Sequence, residues 1–485
     1  MDNTMEYLTL ENIAGACQGE LCGAKGMEKA GITCAVIDSR KLEAGGLFFA
    51  ARGEKVDGHR FIGQVFEKGA ACVITEKTPA QVEEEHGIPK EAWGPYILVG
   101  DSFDALKKLA AFYRKQIAIP VVGITGSVGK TSTKEFIAGV LSEKYNVLKT
   151  EGNFNNEIGL PLTILRIRRE HEAAVLEMGI SDFGEMSRLG EMARPDICVI
   201  TNIGQCHLEN LHDRAGIFKA KTEIFDYMQE NGKICLNGED DMLFQVNKAD
   251  GKSVHHFGIS EQEGFAVYAT DIESRGLFGS SAVMHMALDA NRKPGSKDAA
   301  YPVDIPLPGQ HMVINAMAAA LVGSLLNLTA EEIQKGIKGV QPVGGRSNIL
   351  KISDKTVIDD CYNANPVSMK AALDLLSTAL ERKVAVLGDM FELGENADAL
   401  HAEVGAYAVD KGTDAVFCVG KNARYMYDAA MEKYDGSQDI RYFEDREELL
   451  ACLPGLLKPH DTILIKASHG MGFASVVEAL KTLQD

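Results

Sequence analysis

The chain has 485 residues, room for two to four domains, each with its own hydrophobic core. Apolar residues make up 45% and charged residues 25%, an ordinary globular balance. Fifty Lys and Arg against 69 Asp and Glu give a net charge of −19, which excludes a basic surface of the kind that binds nucleic acid or anionic membrane. The acidic N-terminus carries no apolar h-region and predicts no secretory signal. No stretch is long and apolar enough for a membrane span; the nearest, Met312–Leu328, is broken by Asn315, Gly323, Ser324 and Asn327. Ten cysteines without a C-x-x-C pair read as buried thiols in a reducing cytoplasm.

Residues 1–115 mix short apolar strands (Leu47–Ala50, Ala71–Ile74, Tyr96–Val99) with helical stretches. An amphipathic helix, Ser102–Gln116, closes the segment. The β-branched run Ile117–Thr125 then opens a second domain as a buried parallel strand. Strands at Ala173–Met178, Ile197–Thr201 and Lys233–Leu236 alternate with helices, the pattern of a doubly wound sheet. Residues 251–305, with the polar stretch NRKPGSKD, read as an antiparallel excursion of that domain, followed by a helix His311–Leu326. A third alternation begins near Gln341. It has strands Thr356–Asp360, Lys383–Leu387, Ala415–Val419 and Thr462–Lys466, and helices Ser368–Leu380 and Ala399–Lys411. The expected fold class is therefore α/β in three domains. A small mixed domain (1–115) precedes a central P-loop doubly wound domain (116–338) and a Rossmann-like C-terminal domain (339–485).

The second domain opens on Thr125-Gly126-Ser127-Val128-Gly129-Lys130-Thr131-Ser132, between a strand and the helix Thr133–Glu143. That context makes it a phosphate loop. Glycines let backbone N–H groups approach phosphate, and the helix N-terminus adds partial positive charge. Lys130 is placed to bridge the β- and γ-phosphates of ATP, and Thr131 to ligate Mg²⁺. Ile124 stands where the longer form of the loop has glycine, so this is the short T-G-x-x-G-K-T form.

The short loop resembles that of the Mur ligases and their folylpolyglutamate synthetase relatives. Further strings fall in the same order: Gly152-Asn-Phe-Asn155-Asn156, Glu177-Met-Gly, Thr201-Asn-Ile-Gly-Gln-Cys-His207 and Ala220-Lys221-Thr. Pro342-Val-Gly-Gly-Arg346, Asp359-Asp360-Cys-Tyr-Asn363-Ala-Asn365-Pro366 and Gly388-Asp389-Met-Phe-Glu-Leu-Gly394 follow. Near the start, Asp38-Ser39-Arg40 precedes Asp57-Gly-His-Arg-Phe-Ile62. The chain thus resembles the Mur ligase family over essentially its whole length, and within it the branch that adds D-alanyl-D-alanine to a UDP-N-acetylmuramoyl-tripeptide.

The resemblance implies an ATP- and Mg²⁺-dependent ligase in which the tripeptide carboxylate becomes an acyl phosphate that the dipeptide amine attacks. It implies catalytic roles for Lys130, Glu177, His207 and Lys221, with Thr131, Glu177, His207 and Lys221 around metal. The lysine matching Lys221 carries a CO₂-derived carbamate in the family, which needs a neutral amine. Lys219 is the rival, although it points off the helix face that Lys221 and Phe225 share. Asn315, Arg346 and Asp360 match contacts to adenine, γ-phosphate and ribose. In the adenine segment Met312 replaces an asparagine frequent in the family. Ser39 and Arg40 match uridine-nucleotide contacts, Arg40 having a surface ion pair with Asp38 as its plainer reading. Asn155 and Asn156 match a loop beside the muramyl-peptide phosphates, and Asn363 and Asn365 a dipeptide pocket. Near the C-terminus, Lys466-Ala-Ser468-His469 keeps the family's Lys and Ser but has His469 where Arg is frequent. The expected partners are the two small-molecule substrates, with no nucleic acid and no membrane, for a monomer in the cytoplasm. A polyglutamate ligase and a non-catalytic P-loop module are the competing readings. The joint presence of Glu177, His207 and Lys221 argues against the module.

Overall fold

The structure is a computed structural model, which describes residues 5–262, 264–286 and 299–482. The first sheet contains β1 (Glu20–Cys22), β2 (Ala35–Val36), β3 (Leu47–Ala50), β4 (Cys72–Thr75) and β5 (Tyr96–Leu98), in the order β1-β5-β4-β3-β2. β2 to β5 run parallel, and β1 is antiparallel to β5. The Asp57-Gly-His string locks a turn beneath this sheet: Asp57 accepts from the His59 backbone, and the buried His59 ring lies 2.6 Å from the same carboxylate.

The second sheet has nine strands: β6 (Val121–Thr125), β7 (Val147–Lys149), β8 (Ala173–Glu177), β9 (Ile197–Ile200), β10 (Lys233–Asn237), β11 (Ser253–Gly258), β12 (Phe265–Ser274), β13 (Ser280–Met286) and β14 (Ala299–Ile305). Their order is β14-β13-β12-β11-β10-β9-β6-β8-β7. β6 and β8 are buried along their whole length, as strands covered by helices on both faces must be. The chain leaves β6 toward β8 and β7, then returns to its other side at β9. The C-terminal end of β6 is therefore the switch point where α/β sheets open a crevice.

The third sheet contains β15 (Asn348–Ile352), β16 (Lys355–Asp359), β17 (Lys383–Gly388), β18 (Ala415–Val419), β19 (Asp439–Phe443) and β20 (Thr462–Lys466), ordered β15-β16-β20-β17-β18-β19. Only the β15–β16 pair is antiparallel within it. No helix among the described residues is long and apolar enough to cross a membrane, and all ten cysteines are free thiols.

Most expected elements appear within a few residues of their anticipated limits, with three differences. β6 begins at Val121, not Ile117, because Pro120 has no N–H to give a ladder. The helix after the phosphate loop begins at Lys130, not Thr133, so its free N-terminus lies at the loop itself. The segment read as antiparallel is so only at β13 and β14; β11 and β12 extend the parallel sheet. The polar stretch 291–298 lies outside the described residues.

The helix Ser102–Gln116 joins the first two sheets. Asp101 caps it by accepting from Asp104 N, and Ala105, Leu106, Leu109, Ala110 and Tyr113 form its buried stripe. Arg114, 2% exposed, donates to the carbonyls of Ile117, Ala193 and Arg194 and pairs with Asp196 at 3.1 Å. That pins the helix end against the central domain beside β6.

Candidate active site

A cleft of about 530 Å³ lies between the C-terminal ends of the second and third sheets. Its floor is the phosphate loop. Gly126 (φ +148°) has no room for a side chain, since a Cβ would sit 1.9 Å from Thr201 Oγ1. Gly129 (φ +81°) caps the following helix in the left-handed region, which favours glycine. The N–H groups of Ser127 and Val128 are already held by Asn202 Oδ1, at 3.1 and 3.0 Å. Among the described residues the first-turn N–H groups of Lys130, Thr131 and Ser132 have no backbone acceptor, and they make the free part of the anion cradle. Lys130 Nζ folds back onto Gly126 O at 2.8 Å, and burial lowers its pKa. Thr125 is fully buried in β6 and, like Gly126, lies beneath the cleft surface instead of lining it.

Glu177 ends β8, 1% exposed. Its Oε2 accepts from Thr131 Oγ1 at 2.8 Å and its Oε1 from Asn155 Nδ2 at 2.8 Å. The equally buried Lys134 Nζ lies 3.7 Å from Oε2, 3.3 Å from Glu135, and donates to Thr150 O at 2.8 Å. Thr150 Oγ1 in turn accepts from Glu177 N. A hydroxyl and a carboxylate at one point form a hard-oxygen donor set that fits Mg²⁺. Asn156 also lines the cleft, while its Oδ1 accepts from Ile158 N and Gly159 N to start the next helix.

His207 lines the cleft from a left-handed position (φ +52°) before the short helix Leu208–Leu211. Its Nδ1 is 2.6 Å from Glu392 of the third domain, a charge contact that is not aligned as a hydrogen bond. Lys221 sits on the helix Arg214–Thr222, 1% exposed. Its amine has no hydrogen bond or ion pair among the described residues. Burial, opposed by Cys206 and reinforced by the Lys130 charge, lowers its pKa to about 8. Lys219, by contrast, extends over the Phe183 ring at 6.0 Å. A buried amine without a partner fits the carbamate expected of Lys221, which would supply oxygen donors.

Asn315 borders the loop from the helix Gln310–Leu325. Its Oδ1 accepts from Thr133 Oγ1 at 3.0 Å, and its Nδ2 points at the Met312 thioether at 3.6 Å. Across the cleft, the Arg346 guanidinium stacks on the Tyr362 ring at 4.0 Å, and Tyr362 leans on His469. Asp360 accepts from Ser347 N at 2.8 Å and from the buried Lys466 Nζ at 2.5 Å. Asn365 caps the helix Pro366–Ser377 by accepting from Ser368 N, and Asn363 Oδ1 accepts from Ala364 N. Both line the cleft, but these oxygens serve the local turn.

Ser39 and Arg40 are not part of this cleft. Ser39 is buried, with Lys68 Nζ on its carbonyl at 2.8 Å. The Arg40 side chain is 86% exposed and pairs with Asp38 at 2.9 Å; that hydrogen-bonded pair holds the Asp38 carboxyl down at about 2. The ion-pair reading of Arg40 thus describes its conformation here. Sequence reasoning missed Asn202, Lys134, Thr150 and Glu392. Asn202 and Glu392 lie inside strings already singled out, so their positions carried a signal.

Family models agree with this architecture. One described as Mur ligase family, catalytic domain, matches residues 31–114; the Mur ligase middle domain matches 124–323; and the Mur ligase, glutamate ligase domain, matches 345–469. The chain is 36% identical over 476 residues to the UDP-N-acetylmuramoyl-tripeptide–D-alanyl-D-alanine ligase of Bacillus subtilis, covering 97% of this chain and 98% of that one. A crystal structure of MurF from Acinetobacter baumannii superposes with a TM-score of 0.86 at 30% identity, covering 99% of this chain and 100% of the other. MurF ligase from Thermotoga maritima in complex with ADP gives 0.76 at 29% identity, covering 92% and 97%. With the phosphate loop, the buried carboxylate and the facing third domain in one cleft, this chain belongs to the Mur ligase family of ATP-dependent ligases.

Proposed function

We propose that the protein joins the terminal carboxylate of UDP-N-acetylmuramoyl-tripeptide to the amine of D-alanyl-D-alanine, coupled to cleavage of ATP to ADP and phosphate. The observation that carries this reading is the facing of two domains across one cleft. Lys130, Thr131 and Glu177 stand on the central side; Arg346, Asp360 and Lys466 stand opposite. The relatives named above, matched along nearly their whole length, support the substrate assignment.

In this reading residues 116–338 bind ATP, residues 339–485 close over it and receive the dipeptide, and residues 1–115 hold the uridine diphosphate through Ser39 and Arg40. The first-turn N–H groups and Lys130 take the β- and γ-phosphates, with Ser127 and Val128 shaping the loop. Asn315 borders adenine, Asp360 the ribose, and Arg346 offers its planar fork to the γ-phosphate. Thr131 and Glu177 would hold one Mg²⁺, and His207 with carbamylated Lys221 would hold a second. Bound there, Mg²⁺ neutralises the charge that builds when two anions meet.

The chain's own groups then have defined tasks. Lys130 and Arg346 draw the γ-phosphoryl group into line with the incoming carboxylate. Asn155 and Lys134 keep Glu177 in one orientation. Asn156, Asn363 and Asn365 lie along the cleft where the peptide and the dipeptide would meet. Attack of the amine on the acyl phosphate releases phosphate through a tetrahedral intermediate whose charge the same cations stabilise. The net charge of −19 is no obstacle, because it falls as −3 over residues 1–117 and −8 over each of 118–340 and 341–485. The nucleotide-sugar domain is thus nearly neutral, and the cleft places Lys130, Arg346 and Lys466 among its lining residues. We also infer a cytoplasmic monomer that binds neither nucleic acid nor membrane.

Phosphate release tests the reading. It should require ATP, Mg²⁺, UDP-N-acetylmuramoyl-tripeptide and D-alanyl-D-alanine together. Release that needs a folate substrate instead would reverse the assignment in favour of a polyglutamate ligase.

A further inference from the structure

His207 and Glu392 come from different domains, yet their side chains meet at 2.6 Å. The local backbone is built for the meeting. His207 has φ +52° and Glu392 φ +62°, a left-handed conformation that non-glycine residues seldom adopt and that persists only where the surroundings enforce it. A Cβ at Gly394, two residues past Glu392, would come within 4 Å of the backbone of Leu208 and Glu209. Leu208 touches the apolar cores of both domains. The base of the Glu392 loop is also fixed: Asp389 accepts from Ala423 N at 2.7 Å, Met390 N donates to the buried His401, and Phe391 N donates to Ser468 Oγ. A rigid third-domain loop therefore presents one carboxylate to one imidazole nitrogen of the central domain.

From this contact we propose that Glu392 is a positioning residue for His207. With metal bound, a small turn of the ring aligns this 2.6 Å contact as a hydrogen bond that keeps the proton on Nδ1 and leaves the Nε2 lone pair to the cleft. Carboxylates commonly fix metal-binding imidazoles in this way. Because the carboxylate belongs to the third domain, His207 is set for metal only when the two domains are together. Domain closure and loading of the second metal thus become one event. The inference rests on the reading of His207 as a metal ligand given above, and it assigns a task to the Gly388–Gly394 string that the proposed reaction leaves unused.

The test is binding of Mn²⁺, as a probe for Mg²⁺, to the ADP-loaded protein, followed by the electron paramagnetic resonance signal of the free ion. Wild type, Glu392→Ala, Glu392→Gln and His207→Ala are compared, without turnover. Glu392 is mostly exposed, so its variants are expected to fold, and thermal unfolding checks this. Glu392→Ala should weaken the second Mn²⁺ about 10- to 100-fold, His207→Ala should abolish it, and Glu392→Gln, which keeps an oxygen acceptor, should fall between wild type and Glu392→Ala. Small-angle scattering should show the ADP–Mn²⁺ complex compacting less in Glu392→Ala than in wild type. Unchanged Mn²⁺ affinity in Glu392→Ala with loss in His207→Ala overturns the positioning role and leaves the His207 reading intact. No change in either overturns both. Weakening in Glu392→Ala alone would make Glu392 itself the ligand and overturn action through His207.

Discussion

Replacing Lys221 by methionine should make the folded protein more stable at neutral pH and abolish its activity. The lysine is buried, and no group among the described residues pairs with its amine. Its pKa falls from 10.5 to about 8, chiefly through burial, a preference for the neutral amine of roughly 3 kcal/mol. The unfolded chain keeps the ordinary value. Between about pH 8 and 10.5 the unfolded state therefore holds more protons at this site, and stability rises with pH across that window. Below the window the folded protein carries the full burial penalty. Methionine removes the charge while filling similar space. In CO₂-free buffer, urea unfolding should thus show Lys221→Met more stable than wild type at pH 7 by up to about 3 kcal/mol, the difference fading by pH 10.5. The same lowered pKa leaves about a quarter of the amine neutral at pH 7.5, against about 0.1% for an ordinary lysine. Wild-type activity should accordingly fall when CO₂ is stripped and return with bicarbonate. Lys221→Ala should regain partial activity with short carboxylic acids. Full activity in Lys221→Met, or a loss of stability at pH 7, would refute the reasoning.

Three other outcomes follow from the same geometry. Glu177→Gln keeps an oxygen beside Thr131 but removes the charge and the acceptor for Asn155, so ATP affinity measured by calorimetry in Mg²⁺ should drop about tenfold. Metal-free affinity should stay unchanged; equal losses in both conditions would contradict a metal role. Lys134→Met leaves the buried Glu177 without this cation, while the half-buried Glu135 keeps Lys149, and should lower stability by about 3 kcal/mol in urea unfolding; a neutral effect would count against the pairing. Arg346→Lys loses both the stack on Tyr362 and the bidentate fork. It should lower kcat and weaken binding of a non-hydrolysable ATP analogue while sparing ADP, and equal weakening of both nucleotides would move Arg346 away from the γ-phosphate.

The helix Ser102–Gln116 was legible in the sequence because its apolar stripe has helical period and Asp101 announces its start. β18 and β20 were legible because they are short apolar runs buried on both faces. The helix Ala423–Glu432 and strand β19 were not, since β19 lies at the sheet edge with half-exposed side chains that break the apolar pattern. At the site, the phosphate-loop glycines declared themselves through a strict steric need that any reading of strand, loop and helix detects. Lys134 did not, because a lysine in a helix looks solvated until the fold brings Thr150 O and Glu177 to it from other strands. Glu392 was hidden for the same reason at longer range: its partner lies 185 positions away in another domain. Local chemistry is written in local spacing, whereas charge pairs across domains exist only after topology has been chosen.

The claim on which the account rests is that the tripeptide carboxylate is activated by phosphoryl transfer in this cleft. Its most direct test uses UDP-N-acetylmuramoyl-tripeptide labelled with ¹⁸O in the reacting carboxylate, with ATP, Mg²⁺ and D-alanyl-D-alanine. Mass spectrometry of the released phosphate should find one ¹⁸O atom per phosphate, matched by formation of the pentapeptide product. Unlabelled phosphate alongside the same product, or label appearing in AMP, would contradict it.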